Sequence, residues 1–433
     1  YFRVRGIYTH TVPTETYRGA GMPESTYVIE RLMDKVAECL SLDPLALRVR
    51  NLLPNHETPI TNIIGTTFDS GNYRATSELI EGRCTLWRQR QIEQPERVIG
   101  IGISGYVLVA SGPSSRDNLE GGSRLSNWEH VRLSVHRGGE ITLTCGTHSH
   151  GQGHETTFRQ VISSRLGCDP QNIDIVYGDT ARVHAGLGTY ASRAMVLAGS
   201  AISQASDRII DKGKHLAAHM FECAAQDIEF NRGRFQIAGT DRTLTFKEMA
   251  SIAWRGDAWP EGFEPGLDES CYIDPQGATT PSGFHVCVIE LDKETGALTC
   301  LDYLAVDDFG RVINPMIVDG QMHGALTQGL GQALGEFCVY DRAGQLVAGS
   351  TLDYPLLRAR DLPPFELNRI ETPAPGNPLG IKGMGEAGTL PAPPALANAL
   401  RNALSRFQCP MPDMPFTPYR VWKAMNAGKA IPA

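Results

Sequence analysis

The feature that most constrains this chain is the clustering of its glycines in polar stretches. Glycine accounts for 45 of the 433 residues, about 10% where roughly 7% is usual. Much of the excess falls at residues 19–21, 151–153, 186–188, 320–335 and 380–388. Glycine serves where the backbone turns sharply or approaches another group closely. The clusters therefore indicate backbone that packs tightly at several separated points.

Apolar spacing along the chain predicts both helices and strands. Turn signals at residues 137–139 and 293–296 each separate two strand-like runs, which predicts two antiparallel hairpins. Helices are predicted at residues 28–40, 44–47, 73–92, 156–166, 193–225, 315–338 and 394–406, and strands at 98–110, 131–136, 140–145, 173–177, 284–291 and 298–306. Helices interspersed with hairpins indicate an α+β fold with mixed α/β layers.

The bulk composition argues against several classes of protein. The net charge is −8 and the sequence pI is about 5.9, whereas a nucleic-acid-binding domain normally presents a basic face. No stretch of about 18 apolar residues is present, so we expect no membrane span. Residues 1–6 lack the apolar centre of a signal peptide and begin without Met. We expect a cytoplasmic chain that is processed, a fragment, or renumbered.

The cysteines are spread along the chain. There are ten, and none form a C-x-x-C motif. Iron–sulfur and zinc sites normally need closely spaced cysteines. We therefore expect buried free thiols in a reducing compartment.

The first segment with chemical potential is the polar stretch 148–155, between a predicted strand and a predicted helix. Its backbone N–H groups can cradle an anion, and its glycines let a ligand approach. A plain loop with a helix cap explains the same residues. His148, His150 and His154 also permit a zinc hydrolase, although the H-E-x-x-H spacing is missing.

The second segment, residues 186–193, precedes the long predicted helix. Ser192 or Thr189 can cap that helix. The same geometry also makes an anion site, to which Arg193 would add positive charge. Both interpretations stay open from this segment alone.

The third segment, residues 380–388, places Glu386 among four glycines. A carboxylate flanked in this way suits a general base held beside a bound group, and a surface turn is the simpler alternative. The stretch also contains Gly-x-Gly-x-x-Gly. It does not follow a strand within a βαβ unit, so it supports a dinucleotide fold only weakly.

Together these segments resemble the molybdenum hydroxylases, the xanthine oxidase and aldehyde oxidoreductase family. The resemblance extends over nearly the whole chain, in the family's motif order. Its motifs are Tyr17-Arg18-Gly19-Ala20-Gly21 continuing through Ile29-Glu30-Arg31, Gly151-Gln152-Gly153-His154-Glu155-Thr156, Gly186-Leu187-Gly188-Thr189-Tyr190, Asp308-Phe309-Gly310 with Ile313-Asn314-Pro315, Gly320-Gln321, and Lys382-Gly383 to Gly388.

The resemblance implies the C-terminal part of a molybdopterin-binding large subunit. It makes residues 1–53 the tail of the first molybdopterin-binding domain, 54–95 a connecting helical segment, and 96–433 the second domain. A chain or segment carrying the preceding half is then a required partner. Iron–sulfur clusters and FAD are expected on an iron–sulfur subunit and a flavin subunit, since this chain lacks cluster cysteine spacing.

The implied cofactor is molybdenum-molybdopterin, in bacteria usually as the cytosine dinucleotide. The family's pattern implies that its dithiolene holds the metal and that no side chain ligates it. The implied cofactor contacts are Arg18, Gly151, Gln152, Gly153, Thr189, Tyr190, Ala191, Ser192, Arg193, Gln321, Lys382 and Gly383. Ala20 and Tyr190 are the implied substrate-pocket residues.

Glu386 matches the family's catalytic glutamate. The implied reaction oxidises an aldehyde or N-heterocycle with water as the oxygen source, and Glu386 is its general base. Carbon monoxide dehydrogenases of this family carry a copper-binding Cys in the Arg18 loop, where this chain has residues 19–21 without Cys. Xanthine-type enzymes carry an aromatic residue where Ala20 stands. Neither carbon monoxide nor a purine is therefore the expected substrate. The alternative is a non-catalytic structural subunit of such a complex.

Overall fold

A computed structural model describes residues 3, 5–13, 15–54, 57–257 and 259–427. The outer ends of the expected domains 1–53 and 96–433 therefore lie partly outside the described residues. Within these residues the helices are α1 Met22–Leu40, α2 Pro44–Arg50, α3 Tyr73–Glu93, α4 Ser115–Glu120, α5 His154–Leu166, α6 Ala194–Phe221, α7 Phe246–Ile252, α8 Pro315–Leu334, α9 Ala392–Leu404 and α10 Pro418–Met425. The strands are β1 Ile60–Thr61, β2 Thr67–Phe68, β3 Ile99–Val107, β4 Glu129–Val135, β5 Ile141–Cys145, β6 Ile173–Val176, β7 Ile228–Asn231, β8 Arg234–Ile237, β9 Thr243–Thr245, β10 Glu269–Ile273, β11 Ser282–Leu291, β12 Leu298–Asp308 and β13 Phe365–Ile370.

The first large sheet has the strand order β13-β12-β11-β3 and is covered on both faces. Helices α8, α9 and α10 pack on one face and α2 and α3 on the other. β11 is buried at nine of its ten positions, as a central strand between two helical layers must be. Gly100 and Gly102 allow α9 to lie directly on β3. A Cβ at Gly102 would lie 2.0 Å from the Ala395 carbonyl oxygen.

The second large sheet has the order β10-β4-β5-β6 and carries α5 and α6. Its strands alternate between buried and less buried positions, which is the period-2 pattern of a sheet with one covered face. The apolar side of α6 supplies Ala198, Ile202 and Ile209 to the same core. The small sheet β7-β8-β9 and α7 close the far end of this layer.

The predicted α+β class is confirmed, and both predicted hairpins form, as β4-β5 and β11-β12. Some boundaries were wrong. α1 begins at Met22, six residues before the predicted start, and α5 begins at His154 rather than 156. α8 ends at Leu334, and α10 follows the helix that was predicted to be the last. The short strands β7, β8 and β9 and the edge strands β10 and β13 were not predicted.

The N-terminal helices pack directly on the first large sheet. Arg48 forms a buried ion pair with Glu30 at 2.8 Å, and Glu30 also accepts the Gly105 N–H from β3 at 3.0 Å. Arg401 on α9 pairs with Glu38 on α1 at 2.8 Å. Helices α1 and α2 therefore pack against elements beyond residue 96. No helix in the described part of the chain is long and apolar enough to cross a membrane.

Candidate active site

A cavity of about 630 Å³ lies where loops of the two large sheets meet. Three of the five glycine-cluster regions, residues 151–153, 320–335 and 380–388, border it, and the other two are adjacent in sequence to the lining residues Arg18 and Thr189. Its walls come from segments distant in sequence, namely residues 16–18, 150–157, 189–195, 309–321 and 381–386, with individual residues of each segment facing the space. The glycine clusters are therefore brought together by the fold.

Three helix N-termini face this cavity. α5 and α6 begin without a side-chain cap hydrogen bond at their N-cap residues, Gly153 and Arg193. α8 begins at Pro315 and is capped by Asn314, whose side chain accepts the Ile317 N–H. The first turn of a helix offers unpaired N–H groups and a partial positive charge. The arrangement therefore suits a ligand with negatively charged groups.

Glu386 lies at the cavity wall with both carboxylate oxygens hydrogen-bonded. Oε1 accepts the Gly19 backbone N–H at 3.0 Å, and Oε2 accepts the Ser192 hydroxyl at 2.8 Å. Each oxygen keeps further lone-pair capacity, since a carboxylate oxygen has about two acceptor sites. The carboxylate is thus held in one orientation and can still accept a proton.

Arg18 connects the N-terminal loop to the Glu386 segment. Its Nε donates to the Gly385 carbonyl at 2.6 Å, and its Nη2 donates to Gln321 Oε1 at 3.1 Å. Burial lowers the pKa of Arg18, and the nearby Glu386 carboxylate opposes that shift. Arg18 and Gln321 therefore line the cavity as a hydrogen-bonded pair.

The Arg193 guanidinium is used inside the protein. Its side chain is 1% exposed and forms an ion pair with the fully buried Glu129 at 3.0 Å. It also donates to the Gly188 carbonyl at 2.8 Å and the Trp128 carbonyl at 2.7 Å. The charge of Arg193 is thus paired inside the protein, and the cofactor contact expected of this residue stays a prediction. Burial raises the pKa of Glu129, and Arg193 opposes that shift.

Lys382 is likewise paired inside the protein. Its ammonium group is fully buried and donates to the Ser70 carbonyl at 2.9 Å, with the Asp308 carboxylate at 3.4 Å. The charge of Lys382 is therefore paired with Asp308, and the cofactor contact expected of this residue stays a prediction. The neighbouring Gly383 packs on the Ser192 carbonyl, where an added Cβ would lie 1.9 Å from that oxygen.

Most of the remaining predicted cofactor residues border the cavity, whereas Gly153 and the predicted pocket residue Ala20 do not. Gly151, Gln152, Thr189, Tyr190 and Ala191 contribute to the wall. Within the wall, Thr189 donates its hydroxyl to the His148 carbonyl at 2.7 Å, which joins two glycine-rich segments.

Gly153 and Ala20, both expected at the site, lie next to the cavity wall and do not line it. Gly153, as the N-cap of α5, lies against Ile317. Ala20 is exposed on the turn next to the wall, so the expectation that it lines the pocket is not met within this chain.

The three histidines do not form a metal site. The His148 and His150 rings lie 4.3 Å apart, but His154 is buried and stacks on Phe158 at 4.9 Å. Among the described residues, no group of three or more His, Cys, Asp or Glu side chains is arranged to hold a metal ion. The zinc hydrolase hypothesis therefore loses its geometric basis. All ten cysteines are free in this structure, but only five are buried, four are half-buried and Cys39 is exposed, so the expectation of buried thiols holds for half of them.

Sequence reasoning assigned no role to several apolar residues of the wall. Phe309, Ile313, Ile317, Met195 and Met384 border the cavity. Phe309, Ile313 and Met384 belong to motifs that carried the family resemblance, which was the one signal available. Their apolar surface suits a flat or aliphatic group rather than a strongly polar one.

Comparison with known proteins agrees with this geometry. Two domain families match the chain, and both are described as a molybdopterin cofactor-binding domain. One matches residues 81–363 and the other matches residues 1–52. The chain is 35% identical over 434 residues to the carbon monoxide dehydrogenase large chain of Hydrogenophaga pseudoflava, covering 98% of this chain and 53% of that protein. It is 34% identical over 425 residues to the nicotine 6-hydroxylase large subunit of Paenarthrobacter nicotinovorans, covering 97% of this chain and 52% of that subunit.

The fold has a close match among solved structures. Quinoline 2-oxidoreductase from Pseudomonas putida 86 superposes with a TM-score of 0.89 at 33% identity, covering 95% of this chain and 53% of that one. Fold and matched domains define the class, a molybdopterin cofactor-binding protein. Within that class, the chain belongs to the molybdenum hydroxylase family and corresponds to part of the large subunit. It spans about half the length of the relatives it matches.

Proposed function

We propose that this chain supplies the second molybdopterin-binding part of a hydroxylase that oxidises an aldehyde or N-heterocycle, with water as the oxygen source. Glu386 is the general base in this proposal. The observation that carries it is the position of Glu386: its carboxylate borders the cavity on which the helix N-termini and glycine-rich loops converge. The alternative is a non-catalytic subunit of the same kind of complex. An oriented carboxylate at the cavity wall favours the enzyme.

The donor set of the cavity fits a molybdopterin dinucleotide. The uncapped N-termini of α5 and α6 and the segment 151–153 offer backbone N–H groups to a pyrophosphate. The side chains of Gln152 and Gln321 offer amide groups to the polar edge of a pterin. Because Arg193 and Lys382 are paired internally, charge neutralisation in this chain falls to the helix N-termini together with Arg18 and Arg311, which also line the cavity. The cytosine form of the dinucleotide is part of this proposal.

When bound, the cofactor supplies the two-electron redox chemistry, and this chain supplies the base and the orientation. The Glu386 carboxylate, fixed by the Gly19 N–H and the Ser192 hydroxyl, accepts a proton at its remaining lone pairs. The apolar wall around Phe309 and Ile317 excludes water from the face of the substrate. A positioned base of this kind contributes roughly 10²–10⁴-fold to a rate.

The substrate proposal rests on the Arg18 loop. Similarity to a carbon monoxide dehydrogenase large chain is high, yet no cysteine stands in residues 18–21. Gly19 is instead used to hold Glu386. We therefore propose an organic substrate with an electron-poor carbon rather than carbon monoxide.

The proposal also includes the remainder of the assembly. The first molybdopterin-binding half, an iron–sulfur subunit and a flavin subunit complete the enzyme, and the complex is cytoplasmic. Residues 1–53 are the end of the first domain, 54–95 a connection, and 96–433 the second domain. Because the cysteines of this chain are too dispersed to hold iron–sulfur clusters, electrons are expected to pass from this chain to clusters on the iron–sulfur subunit.

Co-purification of the native complex tests this proposal. We expect molybdenum and a fluorescent pterin oxidation product in proportion to this chain, together with iron and flavin on other subunits. Oxidation of aldehydes and N-heterocycles would then be assayed with an artificial electron acceptor. A complex of these subunits that contains neither molybdenum nor pterin would support the non-catalytic alternative.

A further inference from the structure

Ser192 is the side chain most closely associated with the Glu386 carboxylate. The Ser192 hydroxyl donates to Glu386 Oε2 at 2.8 Å, and Ser192 Oγ accepts the Glu386 backbone N–H at 3.1 Å. The two residues are 194 positions apart in sequence. The family resemblance implied a cofactor contact for Ser192, whereas these two bonds join it to the proposed base.

The direction of each bond follows from the chemistry of the groups. A backbone N–H only donates, so Ser192 Oγ must accept from Glu386. The single hydroxyl proton is then free to be donated, and Oε2 is the acceptor that lies within 2.8 Å. Ser192 thereby fixes both the backbone and the side chain of the same residue. This double attachment limits the rotation of the carboxylate in the cavity.

The backbone around Ser192 is held in an uncommon conformation to make these bonds. Ala191 and Ser192 have φ values of 47° and 52°, a region that residues other than glycine adopt at a cost. The Ser111 N–H donates to the Ala191 carbonyl at 2.8 Å. Gly383 lies against the Ser192 carbonyl, and the buried Arg193 anchors the next residue. The turn is therefore specified by its surroundings and presents the hydroxyl to Glu386.

We propose that Ser192 is a positioning residue, which holds the Glu386 carboxylate for proton transfer and is not a cofactor-binding side chain. The inference rests on the proposed role of Glu386. It assigns the hydroxyl, rather than the shape of the loop, as the functional part of Ser192. Hydrogen bonds to charged groups are among the stronger ones in proteins, so its loss is measurable.

Two substitutions separate the hydroxyl from the backbone. Ser192→Ala removes the hydroxyl and keeps a Cβ, while Ser192→Gly removes the hydroxyl and suits the positive φ. Ser41→Gly is the matched control, because Ser41 also has a positive φ, of 53°, and is exposed at the end of α1, away from the cavity wall. Each variant is prepared as the assembled complex.

Three readouts are taken: molybdenum and pterin content, kcat with KM, and the pH profile of kcat. We expect both Ser192 variants to retain wild-type molybdenum and pterin and to lose roughly 10-fold or more in kcat. The acid limb of their profiles should move to higher pH, since a hydrogen bond to the ionised carboxylate has been lost. Ser41→Gly should leave all three readouts unchanged.

Specific results would overturn the inference. Loss of pterin or molybdenum in Ser192→Gly would make Ser192 a cofactor contact. Wild-type kcat and an unmoved acid limb in Ser192→Gly would show that only the backbone of this turn matters. Failure of the proposed function is recognised separately, because in that case Glu386→Gln itself would remain fully active.

Discussion

Replacement of Arg193 by Met removes the charge that stabilises the loop in front of α6. The guanidinium makes five hydrogen bonds, to Asn127, Glu129, Gly188 and Trp128. Its removal leaves the Glu129 carboxylate buried without its ion-pair partner. Breaking a buried pair in this way costs about 3–5 kcal/mol. We therefore expect the free energy of unfolding to fall by about that amount.

A double variant tests whether the unpaired charge of Glu129 causes the loss of stability. In Arg193→Met combined with Glu129→Gln, no uncompensated charge is buried, and part of the loss should be recovered. Urea unfolding followed by tryptophan fluorescence measures both, and Trp128 reports from the affected segment. The control is Arg255→Met, which breaks an exposed ion pair with Asp257 and should leave the midpoint unchanged. A loss below about 1 kcal/mol in Arg193→Met, or no recovery in the double variant, would refute the reasoning.

Further predictions concern pH and close packing. Burial lowers the pKa of His154 to about 4, so the folded protein keeps it neutral while the unfolded chain binds a proton below about 6.5. Stability should therefore decrease as pH falls from about 6.5 to about 4, and His154→Phe should flatten that part of a melting-temperature profile; an equally steep decline in the variant would contradict this. In Gly383→Ala, the new Cβ would meet the Ser192 carbonyl at 1.9 Å, so we expect loss of molybdenum from the purified complex. Gly320→Ala is its control, since nothing lies within 4 Å of an added Cβ there, and equal molybdenum content in the two variants would argue against a backbone cradle.

Much of the fold was predictable because its signals are local. The hairpin β11-β12 follows from two apolar runs around a four-residue turn, and α6 follows from a long helical pattern. The small sheet β7-β8-β9 was missed because its strands are three or four residues long and only partly buried. Such short strands carry too little periodicity to be recognised.

The site was predictable as a set of segments, and the direction of individual side chains was not. The motifs brought Glu386 and Gln321 correctly to one cavity. The motifs could not show that Arg193 pairs with the buried Glu129, because the positive charge of Arg193 and its place at the end of a loop are equally compatible with an anion site. The Gly19–Glu386 bond joins residues 367 positions apart. The packing of α1 on α9 and the bond from Arg18 to the Gly385 carbonyl help to bring these two residues together.

The most direct test of the account is the turnover of Glu386→Gln in the assembled complex. Glutamine keeps the size of the side chain and the acceptor oxygen but cannot serve as a base at neutral pH. We predict wild-type molybdenum and pterin content and a kcat reduced by roughly 10²–10⁴-fold. Turnover close to wild type in a variant with full cofactor content would contradict the assignment of Glu386 as the base.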